Sequence, residues 1–186
     1  MLLETERLIL RPLKAEDVDD ILPYHSDPVS IRYIPWDQRD REFVVDWLTR
    51  AVTYLGIKED QPGLLLAMVE KSSNKVIGQL NSAMTDRPNQ TADVGYISNP
   101  EYRGQGFVHE ALVALIDYLF HEEKVHRVIA DIDIRNQDSI RVVERLGFRR
   151  EATFVENDYL KGEWCSMHLY ALLSRDRKST RLNSSH

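Results

Sequence analysis

The segment Ser98-Asn99-Pro100-Glu101-Tyr102-Arg103-Gly104-Gln105-Gly106-Phe107-Val108-His109-Glu110 decides how the chain is read. It follows an apolar run, Ala92 to Ser98, and opens a stretch in which Val108, Ala111, Leu112, Leu115 and Leu119 recur at helical spacing. The two glycines, Gly104 and Gly106, fall where strand gives way to helix, and lacking Cβ they let backbone approach a ligand closely. The first N–H groups of a helix have no intrahelical acceptor and carry the positive end of the helix dipole, so this turn offers a seat for a diphosphate. Arg103 adds a mobile full charge. The same residues also suit a plain tight connection, and on their own they leave both readings open. A dinucleotide fingerprint would need a third glycine where His109 stands, and a P-loop would need Gly-Lys-Ser/Thr, which is absent.

Working outward from this segment, Glu6 to Leu13 is an apolar, partly alternating run that contains Pro12, expected as a first strand. Ala15 to His25 has early acidic residues and Val18, Ile21 and Leu22 at helical spacing. Asp27-Pro28 breaks it. A longer helix is expected from about Arg39 to Leu55, with Phe43, Trp47, Leu48, Ala51 and Leu55 on one face. Leu64 to Glu70, Val76 to Met84 and Ala92 to Ser98 read as an antiparallel meander, with turns at Ser72-Ser73-Asn74 and Arg87-Pro88-Asn89. The central helix is expected to run to about Glu123. Arg127 to Ile134 is a strand, Asn136 to Leu146 a helix stopped by Gly147, and Phe148 to Val155 with Trp164 to Leu172 a closing antiparallel pair. The order requires one parallel pairing, across the crossover from Ala92 to Ile134. An α/β fold follows, with a mixed sheet and helices on both faces.

Length and composition bound the answer. The 186 residues suit one domain, and 42% apolar with 29% charged residues is a soluble, globular composition. No run approaches a membrane span, and the first residues lack the layout of a secretory signal, so a cytoplasmic protein is expected. The lone Cys165 rules out an internal disulfide and reads as a buried strand position. The histidines are scattered and no metal site is expected. The domain is assigned to residues 1–175. Asp176 to His186 has no hydrophobic period and resembles a translated sequencing adapter, so it is set aside as a non-native tail. Without that tail, which has three basic side chains and one acidic, the formal charge moves from -6 to -8. So acidic a domain does not suit general nucleic-acid binding.

Arg103-x-x-Gly106-x-Val108 resembles the diphosphate loop, Arg/Gln-x-x-Gly-x-Gly/Ala, of the GNAT superfamily of N-acetyltransferases. Ala92-Asp93-Val94-Gly95-Tyr96 is similar to that family's fourth-strand signature, and Asn136-x-x-Ser139 followed by Glu144-Arg145-Leu146-Gly147-Phe148 to a later motif. The opening Thr5-Glu6-Arg7-Leu8-Ile9-Leu10-Arg11-Pro12, with Asp27-Pro28 through Trp36, points to the RimJ/RimL-like branch, named for enzymes that acetylate ribosomal-protein N-termini. The resemblance covers roughly Leu3 to Leu173. It implies the GNAT acyl-CoA N-acyltransferase fold, about seven strands splayed between the fourth and fifth. It also implies acetyl-CoA as co-substrate and a primary amine as acceptor, with relatives often dimeric.

The resemblance assigns roles by position. Tyr96, Ile97 and Ser98 would lie along the pantetheine arm, Ile97 backbone also near the thioester oxygen, and Arg103, Gly104, Gln105, Gly106, Phe107 and Val108 would hold the diphosphate. Asn136 would bond the arm, or simply cap the following helix. Asp93 is the candidate base, acting through water, against a surface carboxylate. Many relatives protonate the leaving thiolate with a tyrosine where Val143 stands, so Ser139 takes the acid or thiol-orienting role, against a plain helix-surface residue. Val108 departs from the usual Gly or Ala but keeps its N–H. Arg141 and Arg145 could face a 3′-phosphate or form a solvated stripe. Tyr33 and Trp36 would line the acceptor pocket, Trp36 alternatively anchoring its loop. A peptide N-terminal α-amine is the expected acceptor. Aminoglycosides, polyamines or a non-catalytic acyl-CoA sensor are the alternatives.

Overall fold

The computed structural model describes residues 2–177. Its elements in chain order are β1 (Leu3–Glu4), β2 (Leu8–Pro12), a 3-10 turn (Ala15–Asp17), α1 (Val18–Ser26), α2 (Arg41–Ala51), β3 (Leu55–Gly56), β4 (Gly63–Glu70), β5 (Lys75–Ser82), β6 (Met84–Asp86), β7 (Thr91–Asp93), β8 (Gly95–Ser98), a second 3-10 turn (Pro100–Tyr102), α3 (Phe107–His121), β9 (Arg127–Asp133), α4 (Gln137–Arg145), β10 (Arg149–Leu160) and β11 (Glu163–Leu173). The chain forms two compact units. One comprises the chain up to Ala83 together with Gly95–Leu115, the other Met84–Val94 and the chain from Ile116 onward.

The first unit holds a six-stranded antiparallel sheet in the order β1-β2-β4-β5-β8, with β3 added to β4. Its core gathers Leu13, Ile21, Tyr24, Val44, Leu48, Ala67, Val69, Val76 and Ile97, with Trp36 and Trp47 packed on the margin. The expected helix from Arg39 to Leu55 is shorter at both ends. Asp40 caps it, its carboxylate accepting from the Phe43 N–H at 2.8 Å, and it stops at Ala51. The next residues leave the helix through a turn, the Thr53 N–H donating to the Arg50 carbonyl at 3.0 Å and the Tyr54 N–H to the Ala51 carbonyl at 3.1 Å, and Leu55 pairs with Leu64 across β3 and β4. Val44 therefore joins Leu48 and Ala51 inside, whereas Phe43 and Leu55 are exposed.

The second unit holds five strands in the order β10-β11-β9-β7-β6, with β7 and β9 parallel and the other pairs antiparallel. The one parallel pairing is thus the one the crossover demanded. Cys165 is buried on β11, as expected of a lone cysteine at a strand position. The closing hairpin is longer than expected. β10 runs through residues 157–160, irregular between Phe154 and Asp158, and turns at Lys161-Gly162. Residues 174–177 are helical, and Arg177, inside the stretch set aside as a tail, is buried and pairs with Asp117 at 3.0 Å. The rest of that stretch lies outside the described residues.

The single strand expected from Ala92 to Ser98 is divided. Thr91–Asp93 pairs with β9 in the second unit, and that bonding ends where the Val94 N–H donates to the Ile129 carbonyl at 2.9 Å. Gly95–Ser98 pairs with β5 in the first unit, Gln79 opposite Ile97 and Gly78 opposite Ser98. Gly78 is needed for that close approach, because a Cβ there would lie 2.6 Å from the Ile97 carbonyl oxygen and 2.9 Å from the Ser98 Cα. Gly78→Ala should therefore destabilise the fold by about 1–3 kcal/mol, the usual size of an overpacking penalty. Chemical denaturation checks this, and an unchanged midpoint would refute it.

Candidate functional site

Within the first unit, Asn99 accepts from the Glu101 N–H at 3.0 Å and Pro100 opens a short 3-10 turn, which carries the chain from β8 into the glycine segment. Gly104 and Gly106 have φ of +74° and +81°, a region costly for residues with a Cβ. A Cβ at Gly104 would touch nothing within 4 Å, so backbone conformation, not crowding, calls for glycine there. The amides of Gly104 to Val108 donate to no carbonyl or side chain among the described residues, and the helix ladder begins with Glu110 N–H to the Gly106 carbonyl at 3.0 Å. Those of Gly106, Phe107 and Val108 are among the orphan donors that a helix start leaves, and those of Gly104 and Gln105 belong to the turn before it.

Both flanks of the turn are braced. Arg103, read from sequence as mobile, is tethered by its Nη2 to Ser30 Oγ at 3.0 Å and to the Ser98 carbonyl at 3.4 Å. Ser30 in turn donates to Asp27 at 2.5 Å, and this bond holds the Asp27 carboxyl below its usual pKa. On the other flank Glu110 gathers the start of the chain. Thr5 Oγ1 donates to it at 2.6 Å, the Arg7 N–H at 2.8 Å and Arg7 Nε at 2.7 Å. Burial alone would raise the Glu110 pKa, but these donors together hold it below the ordinary carboxylate value. Arg7 also donates from Nη1 to the Gln105 carbonyl at 2.9 Å and lies over the Phe107 ring at 4.2 Å.

β8 is the terminal strand of its sheet, so one edge of Gly95–Ser98 carries no strand partner. Ile97 is buried, and Tyr96 and Ser98 are half-buried. Tyr33 is half-buried with Arg32 above its ring. Trp36 packs on the core margin, 4.6 Å from the His25 ring, with Arg39 3.8 Å above its face. That is the loop-anchor arrangement.

Asp93, Asn136 and Ser139 belong to the second unit. Asp93 is half-buried at the end of β7. Asn136 caps α4, its Oδ1 accepting from the Ser139 N–H at 3.2 Å, while its Nδ2 enters none of the bonds of this cap. Ser139 is half-buried on the first turn of α4. Val143 is wholly buried, and Arg141 pairs with Asp138 on the exposed side of the helix.

Three features escaped the sequence reading. The Arg7–Glu110 latch joins residues far apart in the chain, and no local pattern announces such a contact. Gln79 looked like an ordinary strand residue. His25 lies at the end of α1, fully buried, with Nε2 3.0 Å from Gln79 Oε1, which also accepts from Tyr24 Oη at 3.2 Å. Gln79 Oε1 can only accept, so Nε2 carries the hydrogen and Nδ1 faces Arg39 at 3.4 Å. Among the described residues no cluster of three metal-ligating side chains occurs, and no helix is long and apolar enough to cross a membrane.

Burial pushes the His25 pKa down to about 4, so the folded state keeps this ring neutral. An unfolded chain takes up that proton near pH 6.5, so His25 contributes full stability above that pH and loses it as pH falls towards 4. The loss should approach roughly 3 kcal/mol. Unfolding free energy measured across pH 4 to 7 should show this slope and a flatter one in His25→Gln. Equal slopes would contradict it.

A family model described as an acetyltransferase (GNAT) domain matches residues 7–149. The chain is 29% identical to the uncharacterized N-acetyltransferase p20 of Bacillus licheniformis, over 94% of this chain and 97% of that protein. It is 24% identical to the [ribosomal protein uS5]-alanine N-acetyltransferase of Escherichia coli, over 94% of this chain and 91% of that one. The crystal structure of a GNAT-family acetyltransferase from Bacillus anthracis superposes with a TM-score of 0.82 at 27% identity, covering 94% of this chain and 99% of that one.

Proposed function

The chain belongs to the GNAT family of acetyltransferases, and from that premise we propose that it moves the acetyl group of acetyl-CoA to the N-terminal α-amine of a protein or peptide. The observation that carries the cofactor reading is the run of five uncommitted amides, Gly104 to Val108, at the start of α3. Oriented donors at a helix N-terminus suit the diphosphate of the coenzyme. Arg103, already tethered at one face of the turn, supplies a matching charge. The open edge of β8, along Tyr96 to Ser98, suits the amides of a pantetheine arm, which would pair with it as an added strand does. A backbone donor on that edge also favours the oxygen of the thioester carbonyl as negative charge develops on it.

The reaction needs a neutral amine. Its lone pair attacks the thioester carbon, the tetrahedral intermediate collapses, and the C–S bond breaks to release the thiolate, which takes up a proton. In this reading Asp93 accepts the proton of the amine through water, Asn136 Nδ2 bonds the arm, and Ser139 orients or protonates the sulfur. Tyr33 and the loop that Trp36 anchors flank the acceptor. At pH 7 deprotonating an α-amine costs about 1 kcal/mol and a lysine-like amine about 4.6 kcal/mol, from reference pKa values near 7.7–8.0 and 10.4. Without a poised strong base the α-amine is the easier nucleophile. The similarity to an enzyme named for the alanine of ribosomal protein uS5 supports the same acceptor class.

Release of free thiol from acetyl-CoA, screened over N-terminal peptides, polyamines and aminoglycosides, tests the proposal. Peptides should give the highest kcat/KM. Gly106→Asp should abolish saturation by acetyl-CoA, Asn136→Ala should raise its KM, and Asp93→Asn should lower kcat about 100-fold or more. Turnover confined to polyamines or aminoglycosides would refute the acceptor assignment, and tight coenzyme binding with no thiol release from any acceptor would refute the proposed activity.

A further inference from the structure

The latch between the chain's start and α3 is not explained by fold stability alone. Glu110 already satisfies Thr5 and the Arg7 backbone, yet the Arg7 guanidinium reaches further, to the carbonyl of a residue in the glycine turn. The guanidinium is planar and its donors are fixed relative to one another. With Nε on Glu110 at 2.7 Å and its face on Phe107, the direction of Nη1 is set before it meets the Gln105 carbonyl at 2.9 Å. In a trans peptide the C=O and the next N–H point in opposite directions. Drawing the Gln105 oxygen towards Arg7 therefore turns the Gly106 N–H to the other side of the turn. Gly106 at φ +81° has no side chain of its own to restrain that peptide, and a Cβ built there would lie 3.5 Å from Arg7 Nη2.

We propose that Arg7 is a positioning residue for the cofactor loop: held by Glu110 and Phe107, it fixes the Gln105–Gly106 peptide so that the Gly106 N–H is presented to the coenzyme diphosphate. This rests on the loop's role in the reading above. Without Arg7 the peptide is free to rotate, and binding must then order it. The effect belongs to coenzyme affinity and not to the chemical step, because Arg7 touches neither the thioester nor the acceptor.

The test compares wild type, Arg7→Met, Arg7→Lys and Glu110→Gln. Calorimetry gives the Kd for coenzyme A, and steady-state kinetics are run with acetyl-CoA and with S-acetylpantetheine, a donor that lacks the diphosphate. Arg7→Met should weaken coenzyme A about tenfold, equivalent to about 1.4 kcal/mol, and raise the KM for acetyl-CoA alike, with kcat within about twofold. Arg7→Lys should recover part of the loss, since it keeps a donor but not the fork, and Glu110→Gln should fall between. Turnover of S-acetylpantetheine should be the same in all four. Unchanged coenzyme affinity in Arg7→Met overturns the proposal, as does an equal loss with S-acetylpantetheine. If Arg7→Met does not fold, unchanged affinity in both Arg7→Lys and Glu110→Gln overturns it. Failure of wild type to bind coenzyme A would overturn the cofactor reading itself, whereas binding indifferent to Arg7 overturns this inference alone.

Discussion

A strand edge can be satisfied by only one partner at a time, and the change of partner at Val94 is the constraint from which the rest of the site follows. Up to Asp93 the chain is committed to β9, and from Gly95 it is committed to β5. The second half ends its sheet, so its far edge faces no further strand, and on it the Ser98 carbonyl accepts from Arg103. Four residues separate that edge from the tethered Arg103, and the amides of the glycine turn come next. Sequence order alone brings an open strand edge and a helix start into one continuous stretch. A ligand with amide groups at one end and a diphosphate at the other matches both.

Much of this was legible in the sequence because it is local. The helical spacing after Phe107, the two glycines at the strand-to-helix turn, the Asn99-Pro100 entry and the need for one parallel pairing are all short-range statements about backbone. The division of Ala92–Ser98 was not legible from its composition, since Val94 is as good a strand residue as its neighbours and only the competition between two partners reveals the break. Apolar spacing continues to Leu55 and so hides the helix end at Ala51, because Leu55 serves a strand pairing with Leu64 and not the helix face.

The candidate site divides along the same line. Gly104 to Val108 and Asn136 announce themselves by residue type and position. Arg7, Glu110 and Gln79 do not, because each acquires its meaning from a contact across the fold. The buried trio of Tyr24, His25 and Gln79 is an example, since one amide oxygen satisfies two donors and lets a polar cluster sit in an apolar core. Gln79 stands opposite Ile97, so this cluster supports the very strand whose outer edge is left open. That support makes an uncovered edge tolerable in a strand of only four residues.

The Glu110 latch has a consequence in time as well as in space. The groups it joins are separated by 103 and 105 positions. Closing so long a loop costs entropy before any bond compensates for it, and contacts of this span slow folding. On a ribosome the opening segment emerges long before its acceptor carboxylate is made. The glycine turn therefore gains its brace from Arg7 only after Glu110 has been synthesised, so during translation its final shape comes later than the segment that holds it.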